Sequence, residues 1–240
     1  MWIKICGNTN AQDPQLAASA GADAVGFVFA PSPRQVTPEQ VAAIAPQLPD
    51  DLTRVGVFQT RDFDEIASTV RMAGLHGIQL HGGLDLSLID KLRAEFSWRQ
   101  FLIQAISWQV DGDPMESEQR FLNDLGAVVR HGVADALLID AKTTTASGGT
   151  GRTFDWKHAR EVLDSHPTPV HIIIAGGLHP GNVREAIVTL RPWGVDVSSG
   201  VESQPGKKGP EILEDFIRAA RFAFLEIEPG PMLPVEAPPV

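Results

Sequence analysis

TRVGVFQTRDFDEIASTVRMAGLHGIQL, residues 53–80, decides the fold. It opens on a β-branched, apolar run, TRVGVF (53–58), and closes on another, GIQL (77–80). Between them residues 62–73 read as a helix. Asp62 stands at the cap and Glu65 follows three residues on, the spacing of a capping box. A strand, a helix and a second strand joined this closely predict parallel pairing with a right-handed crossover.

The alternation continues on both sides. Upstream lie WIKIC (2–6) and AVGFVF (24–29); downstream lie QFLIQAI (100–106), DALLI (135–139), PVHIII (169–174) and VDVS (195–198). Helical patterns fall near 12–19, 38–47, 85–95, 115–130, 155–165, 180–190 and 209–224. Thr37-Pro38-Glu39-Gln40 carries a cap residue, a proline at the first helical position and a glutamine three residues after the cap. Eight such units predict an α/β chain closed into a (β/α)8 barrel; six would suggest an open doubly wound sheet. The length of 240 residues suits one barrel, expected over residues 1–227. The remainder, EPGPMLPVEAPPV (228–240), is proline-rich and aperiodic, and is expected to be a flexible appendage.

Bulk properties narrow the partners. A net charge of −10 argues against nucleic acid or an anionic membrane, but leaves room for a small phosphorylated molecule held by local amides and cations. No uncharged apolar run reaches membrane-spanning length and no signal-type segment opens the chain. The lone cysteine, Cys6, excludes an internal disulfide and a cysteine-rich zinc site, and suits a reducing cytoplasm. Oligomeric state is not legible.

Active sites of such barrels form at the C-terminal ends of the strands. Reactive and glycine-rich residues collect there: Cys6-Gly7-Asn8, Pro31-Ser32-Pro33-Arg34, His81-Gly82, Asp140 with SGGTGRTF (147–154), Ala175-Gly176-Gly177 and Ser199-Gly200. Strand side chains alternate, so if Ile3 and Ile5 face the helices, Trp2, Lys4 and Cys6 face the interior. The same parity places Gln79, His81, Asp140, Asp196 and Ser198 inside. Gly176, Gly177, Ser199 and Gly200 are either tight-turn residues or a phosphate cradle, the latter favoured by their place after strands 7 and 8. GGTGRTF lacks the order of a phosphate-binding P-loop and follows no strand directly, so it reads as a mobile active-site loop. The seven histidines show no HxH or HExxH spacing, and no metal is expected. Cys6 alone would read as a buried small hydrophobe; its place at a strand's C-terminal end, beside a glycine, makes a reactive thiol an equal reading.

KICG (4–7), GADAVGFVFAPSPRQVTPEQ (21–40), GIQLHG (77–82), LLID (137–140) with GGTGRTFDW (148–156), AGGLHPGNV (175–183) and GVDVSSGVESQPGKKG (194–209) resemble, in order, the phosphoribosylanthranilate isomerase (TrpF) family of tryptophan biosynthesis. The departures are the longer stretch 107–134 and the tail. The resemblance implies a barrel that converts N-(5-phosphoribosyl)anthranilate, by an Amadori rearrangement without cofactor, to 1-(2-carboxyphenylamino)-1-deoxyribulose 5-phosphate. It implies Cys6 as general base, Asp140 as general acid and Arg34 as partner of the anthranilate carboxylate. Gln79, His81 and Asp196 are further candidates for substrate contact. Asp155 is a competing acid better explained as a helix cap. Three rival readings are weaker. Ribulose-phosphate epimerase wants paired histidines and aspartates on a metal. Indole-glycerol-phosphate synthase wants a lysine and glutamate set. A non-catalytic phosphate-binding barrel would have lost Cys6 or Asp140. Lys4, two residues before Cys6 on one face, is expected to lower the thiol pKa unless it pairs with an interior carboxylate such as Asp196.

Overall fold

A computed structural model describes residues 1–97, 100–132, 134–142 and 153–227. Among the described residues the barrel strands are β1 (Trp2–Ile5), β2 (Ala24–Val28), β3 (Thr53–Phe58), β4 (Gly77–Leu80), β5 (Phe101–Gln109), β6 (Ala136–Lys142), β7 (His171–Ile174) and β8 (Gly194–Val197). All pair in parallel in chain order, and β8 returns to β1 to close the barrel. The helices between and after them are α1 (Gln12–Ser19), α2 (Pro38–Ile44), α3 (Phe63–Ala73), α4 (Leu86–Phe96), α5 (Pro114–His131), α6 (Trp156–Ser165), α7 (Val183–Leu190) and α8 (Pro210–Glu226).

Local chemistry starts and stops these helices. Thr37 and Gln40 form a reciprocal capping box at α2, and Asp62, Asp85, Asp113 and Asp155 each accept backbone N–H bonds at the starts of α3, α4, α5 and α6. Each cap is worth typically about 1 kcal/mol. Pro46, without an N–H, stops α2 at Ile44, and a 3-10 turn follows over residues 45–47. Gly74 ends α3 in the left-handed conformation, with φ of 59°.

Strand alternation divides the core into two layers. Outward residues such as Ile3, Ile5, Val25, Phe27 and Val195 pack against the buried faces of the helices. Inward, Ala24, Val55, Ile103, Ala105, Ala136, Leu138, Ile173 and Ala175 fill the barrel. Its floor is aromatic: Trp2 stacks on Trp193 with ring centroids 5.3 Å apart, Phe101 leans on both, and His171 stacks on Trp193 at 4.3 Å. The lower end is thus plugged by side chains, and only the upper end is left for chemistry.

Three differences from the sequence reading have physical causes. β5 and β6 run three residues further than expected. Trp108 extends the alternation of β5 and packs against Phe121 of α5 and Phe154, at 4.6 and 5.5 Å. Helix α7 begins at Val183 rather than near Pro180, because Asn182 Oδ1 accepts the His179 N–H and folds the preceding residues into a turn. A small hairpin, β9 (Glu202–Gln204) with β10 (Lys207–Lys208), follows β8 and has no apolar periodicity to announce it. Most of the expected mobile loop (147–152) and the whole tail (228–240) lie outside the described residues.

Candidate active site

Lys4 and Cys6 turn into the barrel, and both are buried. Past the last ladder residue the chain makes a tight corner. Cys6 N–H donates to Val197 O at 2.7 Å, and the Gly7 and Asn8 N–H groups both donate to Gly26 O at 3.0 Å. The buried Asn8 amide also donates to Ile5 O and Gly26 O, at 2.8 and 3.1 Å. Gly7 sits at φ 76°, and a Cβ there would lie 2.5 Å from the Arg34 Cδ and 2.8 Å from the Ser198 Oγ. Only glycine suits both the conformation and the space.

Lys4 donates to Asp196 Oδ1 at 2.7 Å across the β1–β8 pair, with its own side chain fully enclosed. This corrects the expectation for the thiol. Burial is the largest influence on Cys6 and pushes its pKa up; the Lys4 and Lys208 ammonium groups pull it down without reversing the shift. Lys4 is drawn to Asp196 as well as to the sulfur. Burial lowers the Lys4 pKa, yet Asp196 and Cys6 outweigh it and the net shift is upward. The net effect favours the charged form of Lys4, while burial favours the protonated form of Cys6.

Gly26, on β2, makes this packing feasible. A Cβ there would be 2.7 Å from Cys6 Sγ and 3.1 Å from Lys4 Cε. The sequence reading did not single it out.

Asp140, on β6, faces the same interior two strands beyond β8. His81 Nε2 stands 3.4 Å from its Oδ2, and the Gln79 amide nitrogen contacts His81 Nδ1 at 3.2 Å. With that amide donating, the neutral ring carries its proton on Nε2, toward the carboxylate. Gly176, at φ 85°, would place a Cβ 2.8 Å from Asp140 Oδ1. Of the two glycines after β7, Gly176 borders the carboxylate, whereas the Gly177 carbonyl accepts the Asn182 amide at 3.0 Å. The loops after β7 and β8 meet backbone to backbone: a Cβ on Gly200 would collide with the Leu178 carbonyl. Ser199 opens a one-turn 3-10 segment beside them. Asp155, the competing acid, caps α6 through the Lys157 and His158 N–H groups.

Arg34 comes from the loop after β2. Its Nε and Nη2 fork onto both Glu202 oxygens, each at 2.7 Å. Burial raises the Glu202 pKa, but Arg34 and Lys208 together hold its carboxyl below the usual range. Glu202 and Lys208, like Gly26, were missed. The only sequence signal for them was membership of the GVESQPGKKG block.

Cys6 and Asp140 thus face one another's half of the barrel from strands that are not neighbours. Each is packed against a glycine that leaves no room for a side chain, and the Arg34 side chain lies against the Gly7 corner next to Cys6. A thiol and a carboxyl so placed can handle protons on two sides of a bound molecule.

Comparison with known proteins identifies the family. The family model described as N-(5'phosphoribosyl)anthranilate (PRA) isomerase matches residues 3–219. The N-(5'-phosphoribosyl)anthranilate isomerase of Magnetococcus marinus is 43% identical over 223 residues, covering 92% of this chain and 95% of its own. The crystal structure of phosphoribosyl anthranilate isomerase from Thermotoga maritima superposes with a TM-score of 0.77 at 36% identity, covering 92% of this chain and 99% of that one. A crystal structure of a phosphoribosyl anthranilate isomerase in complex with reduced 1-(o-carboxyphenylamino)-1-deoxyribulose 5-phosphate matches at TM-score 0.73 and 35% identity, with the same coverage. The family match over nearly the whole barrel, joined to an interior thiol and carboxyl at its upper rim, places this chain in the N-(5'-phosphoribosyl)anthranilate isomerase family.

Proposed function

We propose that Cys6 is the general base and Asp140 the general acid of the isomerisation that defines the family. The observation that carries this is their common position: both are interior residues at the C-terminal ends of their strands, β1 and β6, in a barrel whose other end is plugged. The substrate is N-(5-phosphoribosyl)anthranilate. Asp140 gives its proton to the furanose ring oxygen, the ring opens, and a protonated Schiff base forms. Cys6 takes the proton from C2′, the electron pair moves to neutralise the iminium nitrogen, and an enolamine results. That enolamine tautomerises to the aminoketose, so the overall change is an isomerisation. Cys6 takes the C2′ proton as the thiolate, its own proton having been lost to solvent before the substrate binds. Burial opposes that form, and the Lys4 and Lys208 ammonium groups, joined after ring opening by the iminium charge, favour it.

Arg34 takes the anthranilate carboxylate. Glu202 holds its Nε and Nη2 and so fixes the guanidinium plane, leaving Nη1 as the donor for the carboxylate. Gln79, His81 and Asp196 line the same interior and contact the sugar. Gly176, Gly177, Ser199 and Gly200 form the phosphate cradle, favoured by the contact between their two loops. The chemistry calls for no metal, nucleotide or redox cofactor. No helix among the described residues is long and apolar enough to cross a membrane. An unpaired, buried thiol fits a reducing cytoplasm.

The test is turnover, followed as loss of substrate fluorescence. Cys6→Ala and Asp140→Asn should each lower kcat by about 10²–10⁴-fold with the barrel intact by circular dichroism. Near-normal kcat in either folded variant removes that residue from its role.

A further inference from the structure

The corner that presents Cys6 is tied down by an ammonium from the far end of the chain. Lys208, on β10, lies 202 residues after Cys6, and its side chain is fully enclosed. Its Nζ donates to Cys6 O at 2.6 Å, to Ser198 O at 3.1 Å and to Glu202 Oε1 at 3.1 Å. An ammonium has three protons, and these three acceptors take them all. Two of the acceptors are carbonyls just past the ends of β1 and β8, beyond the last ladder pair of Ile5 with Val197. The third acceptor is the Glu202 carboxylate, onto which Arg34 forks. Enclosing an ammonium is costly, and an apolar side chain would fill the same space without that cost.

The geometry points to Lys208 as a positioning residue that fixes the Cys6 corner against β8 and links it, through Glu202, to Arg34. This rests on Cys6 being the base. One cation thereby joins the group that moves the proton to the group that grips the carboxylate. Its charge also opposes the upward push of burial on the thiol. Lys208 touches no substrate in this account; it acts through Cys6 and Glu202.

The experiment compares wild type, Lys208→Met and Lys208→Arg. Iodoacetamide alkylation as a function of pH reports the thiol directly, because Cys6 is the only cysteine. In folded Lys208→Met the alkylation midpoint should move to higher pH, and kcat should fall at least about tenfold, more than KM rises. A wild-type midpoint together with wild-type kcat in that variant overturns the inference. Lys208→Arg keeps the charge but cannot aim three donors at the same acceptors. Its midpoint should stay near wild type while kcat falls; unchanged kcat overturns the positioning role even if the methionine variant does not fold. Turnover by Cys6→Ala would sink the base assignment instead. The alkylation curves would still measure the hold of Lys208 on the thiol.

Discussion

Gly26→Ala offers a test of how finely the proposed base, Cys6, is placed. The added Cβ would lie 2.7 Å from Cys6 Sγ, 3.1 Å from Lys4 Cε and 3.2 Å from Cys6 Cα. Unstrained contacts between such atoms begin near 3.5 Å, so the sulfur must retreat by roughly 0.8–1 Å. Rotation of the Cys6 side chain alone does not suffice, since the Cα is also too close. β1 has little freedom to yield, being paired on both sides and anchored by Gly26 O itself. A displacement of about 1 Å at a reacting group costs on the order of 10²-fold in rate. Overpacking of a filled core costs about 1–3 kcal/mol, which in a chain of this size lowers Tm by roughly 2–12 °C. The backbone at Gly26 is not in the left-handed region, so alanine brings no conformational strain of its own. The assay is kcat by substrate fluorescence at a temperature well below both melting points. A kcat within about threefold of wild type, with Cys6→Ala inactive, would refute the argument that sulfur position limits the reaction.

Other expectations follow from the same contacts. Because burial raises the Cys6 pKa and the base must lose its proton, kcat/KM should climb with pH through a limb above the ordinary thiol value of about 8.5; a limb below about pH 7 would show that the cations prevail over burial. Lys4→Met leaves the buried Asp196 carboxylate without its partner, which should cost about 3–5 kcal/mol and lower Tm by roughly 6–20 °C; calorimetry showing a change under about 2 °C would contradict the pairing. Arg34→Lys replaces a planar fork with a point charge, losing about 1.5–3 kcal/mol of charge-assisted bonding and raising KM roughly tenfold to a hundredfold. An unchanged KM there would place the carboxylate elsewhere.

The barrel was legible because its signals are local and repeated. TRVGVF and GIQL announce buried strands, and Asp62 and Thr37 announce helix starts, each within a few residues. Inward and outward faces followed from alternation alone, as Lys4 and Asp196 show. What escaped depends on contacts across the chain. Gly26 is one glycine in a strand of small and apolar residues, and its meaning appears only when the Cys6 sulfur lies over it. Glu202 and Lys208 sit in a short polar segment whose hairpin owes its form to Asp13, Cys6 and Arg34 rather than to its own pattern. The sign of the thiol shift was misread for the same reason. The sequence shows that Lys4 shares a face with Cys6, but not how completely the surroundings enclose the sulfur.

Closure of the barrel sets a timetable for synthesis. The proposed base follows the first strand, while the groups that anchor it arrive last: Asp196 lies 192 residues beyond Lys4, and Lys208 lies 202 beyond Cys6. At about 5–20 residues per second, a ribosome needs roughly 10–40 s to make that interval. Throughout it the thiol lacks the enclosure that raises its pKa, so the nascent chain carries its reactive group in its most oxidisable form. Fragments released early contain Cys6 and Asp140, yet lack the ammonium and carboxylate that position the thiol. A stalled chain is therefore inert toward substrate and vulnerable to oxidants, and alkylation of the single cysteine can serve as a clock for completion.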